Sequence, residues 1–575
     1  MLNNNFNILK YLSVAMINSS YMKNDLYEKG CEALSTGKWE KAKAYFTDAL
    51  KAEESAEVYE NLAWACWWLN DAAGVFENRA KSYNLFIKDN NKLGAARTAS
   101  WIGLDYLEFK GEFAVATGWF QRAENLLEGV NDCWELVFIK ILKARLAYEV
   151  DKNIELAFKL IDETRELSKS LKSIDGEMIA GALKGFILVM EGKVSEGMPL
   201  LDEATLLAVT SEEADIKFTT ITCCYLIDAC ERIRDYERAG QWCNNVKEIC
   251  KRWNYKEMFA TCRVKYAGVL IWQGDWKGAE DELLSAESDF KEIRPLQVNA
   301  CIVRLADLKR RQGKWDEAEA LLNKAETHPL KLLFHASLCF DKGDYENAQN
   351  LAEKYLRRFP LNRKAERTTG VELLLRIYLK LGKLEEAETL LYELREIAKA
   401  INTHPIKAAL FSAEGNFNFA KNNYDSARQN LEDAVDIYDK IKSPFKTSRT
   451  RLTLSEVLIK LNQHTQAEAE LNVAMATFKE LGAEKDFEKA KYLLKNLYKD
   501  NVNATDKDEF TGRELEVLRL IAQGKNNEEM AEKLFLSVRT IEKHITNIYS
   551  KMGVSGKSAR AYAASYAIKH KLILT

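Results

Sequence analysis

The chain has 575 residues, of which 47% are hydrophobic and 29% charged, and only six are prolines. This composition predicts a soluble, all-helical protein with several domains. No apolar run reaches the roughly 18 residues that a membrane helix needs, which excludes a membrane-spanning class. The net charge of −3 hides an asymmetry, because residues 537–575 carry seven Lys or Arg and one acidic residue. A basic tail behind an acidic body predicts a polyanionic partner at that end.

The eleven cysteines include no Cys-x-x-Cys pair, and none of the six histidines stands at ligand spacing from a cysteine. The sequence therefore predicts reduced thiols, a cytoplasmic location, no metal and no cofactor. Residues 1–23 are predicted to be an N-terminal extension, or a start placed upstream of the true one at Met22. The weak apolar patch Ile8–Ile17 follows no basic segment, so we expect no signal peptide.

Residues 24–495 repeat one short sequence motif: Gly or Asn, then an aromatic or apolar residue two places on, then Ala three places further. Clear copies begin at Gly37, Gly111, Gly274, Gly313, Gly343, Gly382, Asn422 and Asn462, and degenerate copies begin near Asn70, Lys152, Gly192 and Asp235. Gly or Asn takes the left-handed conformation that ends a helix, and the small Ala lets two helices approach closely. This is the pattern of tetratricopeptide repeats, which stack helix pairs into a superhelix. We expect about eleven or twelve units at a spacing of about 40 residues, with helices longer than in the standard 34-residue repeat.

All twelve tryptophans lie between Trp39 and Trp315. They are either core aromatics of the repeats or part of an aromatic-walled groove for a peptide or small ligand. The candidate groove residues are Trp64, Trp67, Trp68 and Trp101. Trp67 and Trp68 are adjacent and point about 100° apart on a helix, so one of them is a candidate for exposure.

Residues 496–509 are polar and are predicted to be a linker, and residues 510–575 a separate domain. Thr511 and Glu514 form a capping-box pattern at the start of a helix that Gly524 ends. A second short helix starts at Asn527, and Ser537 is a good N-cap for a third. On that third helix the inward stripe is Ile541, Ile545, Ile548 and Met552. Two short helices joined by about three residues make the helix-turn-helix pattern.

These residues resemble the LuxR-type (FixJ/NarL-like) DNA-binding domain. The matching positions are Thr511, Arg513–Leu518, Gly524, Asn526–Asn527, Glu529–Ala531, Ser537, Thr540–His544, Asn547–Ile548 and Lys551–Val554. The expected fold is therefore all-α: a TPR-like α-solenoid superhelix followed by a small four-helix LuxR-type helix-turn-helix domain.

The resemblance implies that the third helix lies in the major groove of double-stranded DNA. The residues expected to read bases are Glu542, Lys543 and Thr546, because Lys can donate to guanine and Glu can accept from cytosine. Phosphate contacts are expected from Arg539, Thr540, Lys551, Lys557 and the amides at Asn527. The last helix, with Tyr562, Ala563 and Tyr566, forms the dimer contact in relatives, so a homodimer is possible. Packing on the domain's own core is the alternative role for these three residues.

The sequence thus favours a transcription regulator whose array senses a protein, peptide or small-molecule signal. The alternative is an interaction scaffold or anti-activator with weak DNA binding. An enzyme is not expected. The Gly556–Ser558 run resembles the end of a phosphate-binding loop, but Lys551 stands where that loop needs its first Gly.

Overall fold

A computed structural model describes residues 25–252, 258–290, 295–326, 328–500 and 510–569. Within these residues the chain forms helices joined by short turns and contains no strand, which confirms the all-α prediction. The predicted extension 1–23 lies outside the described residues.

The array begins with helix α1, residues 25–35. Its first half continues as α2 (Trp39–Ala52), α3 (Ala56–Trp68), α4 (Ala72–Lys88), α5 (Lys92–Asp105) with a π-helical end at Tyr106–Lys110, α6 (Phe113–Leu126), α7 (Trp134–Glu149), α8 (Ile154–Ser170), α9 (Ile174–Met190), α10 (Val194–Thr210), α11 (Ile216–Ile233) and α12 (Tyr236–Arg252). The second half is α13 (Met258–Gln273), α14 (Trp276–Phe290), α15 (Pro295–Arg311), α16 (Trp315–Lys324), α17 (Pro329–Lys342), α18 (Tyr345–Leu356), α19 (Lys364–Lys380), α20 (Leu384–Ile401), α21 (His404–Ala420), α22 (Tyr424–Lys440), α23 (Pro444–Lys460), α24 (His464–Leu481) and α25 (Glu484–Asp500). The described residues thus contain twelve helix pairs and the single helix α25.

Every predicted copy of the sequence motif forms the turn between the two helices of one pair. Each of the twelve turns has one residue with positive φ: Gly37, Asn70, Gly111, Lys152, Gly192, Arg234, Gly274, Gly313, Gly343, Gly382, Asn422 and Asn462. Glycine or asparagine fills ten of these positions, as the helix-ending role requires. The two exceptions, Lys152 and Arg234, belong to degenerate copies of the sequence motif.

The first turn shows how each residue of the sequence motif contributes to the helix pair. Gly37 has φ +71, which lets the Lys38 amide donate to the Ala33 carbonyl at 2.9 Å and close α1. Trp39 then packs over the turn, and Ala42 and Phe46 are fully buried between the helices. The predicted roles of the turn residue, the aromatic and the small Ala are confirmed.

The superhelix is wound tightly enough for its successive windings to touch. The Thr403 hydroxyl donates to the Ile233 carbonyl at 2.8 Å, across 170 residues of sequence. Asn362 donates to Glu191 at 2.8 Å, and Arg449 pairs with Asp341 at 3.3 Å. These contacts join the windings around α9–α17 to those around α19–α25, so the interior of the superhelix is lined by both.

The helices of the C-terminal domain are α26 (Gly512–Ala522), α27 (Asn527–Leu534), α28 (Val538–Lys551) and α29 (Ala559–Lys569). Their buried residues form a separate core that includes Leu518, Ile541 and Ile548. Helix α25 continues to Asp500, into the segment that the sequence predicts as linker; residues 501–509 lie outside the described residues.

Because the core of the C-terminal domain is separate and each repeat packs on its neighbours, we predict that deletion of residues 505–575 leaves a folded array. Circular dichroism should retain the helical signal, and heating should still give a cooperative transition. Aggregation of the truncated chain, or loss of that transition, would show that the two parts depend on a common core.

Among the described residues, no helix combines the length and apolar character needed to cross a membrane. The His, Cys, Asp and Glu side chains of the same residues form no group of three that could hold a metal ion. The candidate functional features of the described chain are therefore its surfaces and its interior cavities.

Candidate nucleic-acid interface

The helix-turn-helix is built by three local caps. Thr511 and Glu514 form the predicted capping box: the Glu514 amide donates to Thr511 Oγ1 at 3.3 Å and the Thr511 amide to Glu514 Oε2 at 2.8 Å. Asn526 and Glu529 form a second capping box at α27, one residue before the predicted start. Ser537 accepts from the Thr540 amide at 3.1 Å, as expected of the N-cap of α28. The caps fix where α26, α27 and α28 begin.

Helix α28 has one apolar and one polar face. Ile541 and Ile548 are fully buried, and Ile545 and Met552 are 7% exposed, which confirms the predicted inward stripe. The opposite face is exposed and polar. It carries Arg539, Glu542, Lys543, Thr546 and Ser550.

The cations of this face are free to meet an external partner. Within the part of the chain that the structure describes, neither Arg539 nor Lys543 forms an ion pair or hydrogen bond with another side chain. Thr546 Oγ1 donates to the Glu542 carbonyl at 2.8 Å, which orients its side chain along the helix. The three predicted base readers and Arg539 therefore lie together on one accessible face.

The other predicted DNA contacts have partners inside the chain. Lys551 pairs with Glu514 at 2.5 Å, and Lys557 pairs with Asp433 and Asp436 of the array. The side-chain oxygen Oδ1 of Asn527 accepts from Arg560 at 2.9 Å, and the Thr540 hydroxyl lies 2.7 Å from that of Ser537. Burial alone would raise the pKa of Glu514, but its bonds to Lys551 and Thr511 hold that pKa below its ordinary value. Lys551 thereby ties the end of α28 to the start of α26.

Sequence reasoning missed two features of this domain. Arg560 joins α29 to the start of α27, since it also donates to the Lys525 carbonyl at 2.5 Å. Phe535, in the turn before α28, has φ +56 and is 95% exposed. A left-handed phenylalanine is unusual, and nothing in the residue pattern signals its exposure.

Helix α29 lies between the core of its own domain and α24 of the array. Ala563 is fully buried in the domain core, and the Tyr566 ring is 5.7 Å from that of Phe510. Tyr562 lies beside Thr465 and Glu468 of α24, and burial together with Glu468 raises its pKa to about 12. The predicted dimer residues thus divide between the domain core and the array.

We call the contact between the array and the domain the docking surface. Its ion pairs are Lys557 with Asp433 and Asp436, and Lys569 with Glu468 at 3.1 Å. Gln466 donates to the Ser555 carbonyl at 2.6 Å. A side chain added at Gly556 would reach within 3.2 Å of Glu432 Oε1. The docking surface is therefore close-fitting and mostly polar, and it leaves the exposed face of α28 uncovered.

The predicted tryptophan groove is largely interior. Trp64, Trp68 and Trp101 are 4–6% exposed, while Trp67 is half-buried. The Trp64 and Trp101 rings meet edge to face at 4.5 Å, and Arg79 lies 4.4 Å above the Trp64 ring. Three of the four candidates are thus core residues in this structure, and Trp67 alone retains partial access.

Comparison with known proteins gives the two parts of the chain separate matches. Residues 508–564 match the family described as bacterial regulatory proteins, luxR family. Tetratricopeptide repeat models match residues 27–74, 335–401 and 373–440.

Two curated proteins are similar over 81 residues at 44% identity, which is 14% of this chain. They are the transcriptional regulatory protein LiaR of Bacillus subtilis, matched over 37% of its length, and the oxygen regulatory protein NreC of Staphylococcus aureus, matched over 36%. The chain therefore spans little more than a third of either relative.

Two solved structures are similar to this chain at low identity. Cut9–Hcn1 of the APC/C is 12% identical with a TM-score of 0.45, and covers 83% of this chain and 99% of its own. The Rap protein complexed with competence and sporulation factor is 14% identical with a TM-score of 0.34, and covers 71% and 98%. The C-terminal residues 508–564 are a LuxR-family helix-turn-helix domain, and they follow an array of tetratricopeptide repeats.

Proposed function

We propose that the chain is a sequence-specific transcription regulator whose repeat array receives a signal and controls the helix-turn-helix domain. The observation that carries the proposal is the exposed face of α28, where Arg539 and Lys543 have no ionic partner among the described residues. A buried apolar stripe behind a free basic face is the arrangement that a recognition helix needs.

In this proposal α28 enters the major groove of double-stranded DNA. Lys543 donates to guanine, Glu542 accepts from a cytosine amino group, and Thr546 contacts a neighbouring base edge. Arg539, Thr540 and the amides at the start of α27 contact phosphates. Lys551 and Lys557 take part only if DNA competes with the carboxylates that hold them here.

The docking surface supplies the control. The resemblance implies that α29 carries the dimer contact, and in this structure α29 lies against α24 through Tyr562 and Lys569. A docked domain can present α28 to one half-site but cannot pair through the same face of α29. Since two half-sites bind far more tightly than one, docking holds the regulator in a weak-binding state.

Selection of genomic DNA fragments tests this function. Full-length protein and the fragment 505–575, whose core is its own, are each used to capture fragments. A common, roughly two-fold motif from both supports regulation, and a motif from the fragment alone supports control by docking. If neither selects a motif, the scaffold alternative replaces the proposal.

We predict that Lys543→Ala removes discrimination at one base pair, at a cost of about 1–3 kcal/mol on the preferred sequence. The matched control is Arg539→Ala on the same helix, which should weaken binding about equally on all sequences and make the salt dependence shallower. Titration of labelled duplexes at two salt concentrations measures both. A uniform loss for Lys543→Ala would show that Lys543 contacts only phosphate.

A further inference from the structure

A cavity of about 160 Å³ lies inside the superhelix, where its two windings meet. One wall is apolar and consists of Ile271, Trp272, Leu330, Leu333 and Phe334. The other wall is charged, with cations from α11, α15 and α23. The cavity is large enough for a small organic molecule, since an apolar cavity of about 150 Å³ holds benzene.

Each acidic residue that lines the cavity already forms an ion pair with an arginine. Glu231 takes both Arg304 nitrogens, at 2.5 and 2.8 Å. Asp307 accepts from Arg310 and Arg311, and Glu366 accepts from Arg363 at 2.7 Å. These pairs leave no lining carboxylate for the remaining cations of the wall.

Of the remaining lining cations, Arg232 lies 3.8 Å from Asp228, whereas Arg234 and Lys446 share Glu372 of α19, which is behind the wall. Arg234 lies 2.6 Å from Glu372 Oε1, and Lys446 lies 3.9 Å from Oε2. Arg376, one turn further along α19, forms no ion pair among the described residues, and its guanidinium lies 4.5 Å from the Phe340 ring centre. Arg234 and Lys446 thus share the single negative charge of Glu372, while Arg376 lies near Asp341 as well as Glu372. Positive charge is therefore in excess beside Arg234 and Lys446.

Arg234 is the most constrained of these cations. It is only 6% exposed, and its Nη1 has no hydrogen-bond partner in the structure. Its backbone has φ +58, in a turn position that Gly or Asn fills in most other repeats. Its Nη2 donates to Thr369 at 3.2 Å, so only Nη1 is unsatisfied. A buried arginine with one unsatisfied nitrogen and a left-handed backbone costs stability, and such residues are concentrated at binding sites.

The pKa values agree with an excess of positive charge. Burial is the main cause that lowers the pKa of Lys446 to about 7; Glu372 opposes this shift, and Arg234, Arg311 and Arg376 add to it. Burial followed by Arg449 and Arg310 lowers the pKa of Arg376 to about 10. An incoming anion would relieve both shifts.

We propose that this cavity binds a small organic carboxylate, with its oxygens beside Arg234 and Lys446 and its apolar body against Trp272 and Phe334. Guanidinium and ammonium groups are the usual partners of carboxylates, and the opposite wall gives an apolar body its contact. The carboxylate is that of a free acid or of a peptide C-terminus, which share this chemistry.

The site deepens the proposed function, on which its role as a signal site rests. Lys446 belongs to α23, which packs directly on α24, and α24 carries the docking residues Gln466 and Glu468. A ligand that joins α11 to α23 acts on the helix next to the docking surface.

Calorimetric titration of the full chain without DNA tests the site. The probes are benzoate, a leucine-ending tripeptide with a free carboxylate, the amide of that tripeptide, and inorganic phosphate. We expect saturable binding of benzoate or the free tripeptide, and none of the amide. Lys446→Met should weaken this binding about tenfold or more, whereas Lys460→Met, an exposed lysine at the end of the same helix, should leave it unchanged.

The Glu372→Gln variant distinguishes a binding site from a network of charges that serves only to stabilise the fold. Removal of the competing carboxylate should strengthen benzoate or tripeptide binding even if it lowers the melting temperature. Saturable binding by wild type that is lost in Lys446→Met supports the site, and the probe that binds identifies the source of the carboxylate. Absence of binding, equal binding by Lys446→Met, or binding of phosphate alone overturns the proposal.

The pH dependence of affinity provides an independent readout. A bound carboxylate raises the pKa of Lys446 above 7, so the affinity should be constant between about pH 5 and pH 6, where the probe is ionised, and should weaken as the pH rises through 7. Glu366 also lines the cavity, and burial raises its pKa above the ordinary value. Tyr236 has its pKa raised to about 12 and His328 has its pKa lowered to about 3, both chiefly by burial. Arg234 and Arg376 remain charged over this range.

The Lys446→Met variant should lose this pH dependence. Carboxylate binding by a protein that selects no DNA would leave the site standing and remove the proposed function. DNA selection by a protein that binds none of the probes would support the proposed function and rule out the carboxylate site.

Discussion

Reversal of three acidic residues on the array, Asp433→Lys, Asp436→Lys and Glu468→Lys, is expected to raise the affinity of the full chain for its operator about 5- to 150-fold. The change replaces the ion pairs to Lys557 and Lys569 with like-charge contacts. Exposed pairs contribute only about 0.2–1 kcal/mol each. Three of them together lie within the coupling of about 1–3 kcal/mol typical of regulated proteins.

The reversal leaves every predicted DNA contact in place, because all three substitutions are on α22 and α24. Its matched control reverses three exposed acidic residues of α20, Glu385, Glu388 and Glu396, which form no ion pairs among the described residues. The control changes the net charge equally, so a general electrostatic attraction to DNA would raise both affinities alike.

Two measurements separate the possible outcomes. Operator titration gives the affinity, and sedimentation gives the fraction of dimer. Higher affinity with more dimer in the reversed variant alone supports docking as the control. An unchanged or lower operator affinity, with the fragment 505–575 still binding tightly, would show that docking does not restrain the domain.

The sequence predicts the repeats and the helix-turn-helix because both rest on local rules. A left-handed residue, an aromatic and a small Ala recur within six residues, so the turn at Gly37 is visible without any tertiary information. The inward stripe of α28 follows from the helical period in the same way. The sequence motif is degenerate at Arg234, where an arginine replaces the usual Gly or Asn although the turn is still formed. This arginine lines the interior cavity.

The docking surface and the carboxylate cavity could not be predicted, since each joins residues from distant helices. Lys557 and Asp433 are 124 residues apart, and Arg234 and Glu372 meet only because the superhelix returns on itself. The burial of tryptophans has the same origin. Trp64 and Trp101 have the character expected of a groove, but the surrounding repeats and a buried arginine enclose them.

That buried arginine gives the prediction with the largest expected effect on stability. Arg79 is fully buried and Asp105 is 1% exposed, with 3.1 Å between Arg79 Nε and Asp105 Oδ2. The Arg79 guanidinium also lies over the rings of Trp64 and Trp101, at 4.4 and 5.7 Å. Asp105→Ala is expected to destabilise the N-terminal repeats by about 3–5 kcal/mol, because it leaves a buried cation without its counter-charge.

Tryptophan fluorescence during denaturant unfolding measures this loss, since all twelve tryptophans lie between Trp39 and Trp315. The informative control is the double variant Arg79→Met/Asp105→Ala, which removes both charges and keeps an apolar side chain between the rings. Replacement of a buried pair by apolar residues is often neutral or stabilising, so the double variant should recover most of the loss. A single variant that costs under about 1 kcal/mol, like an exposed pair, would contradict the prediction. Recovery in the double variant would show that the tryptophan cluster needs no charge at its centre to fold, and that Asp105 is required only because Arg79 is there.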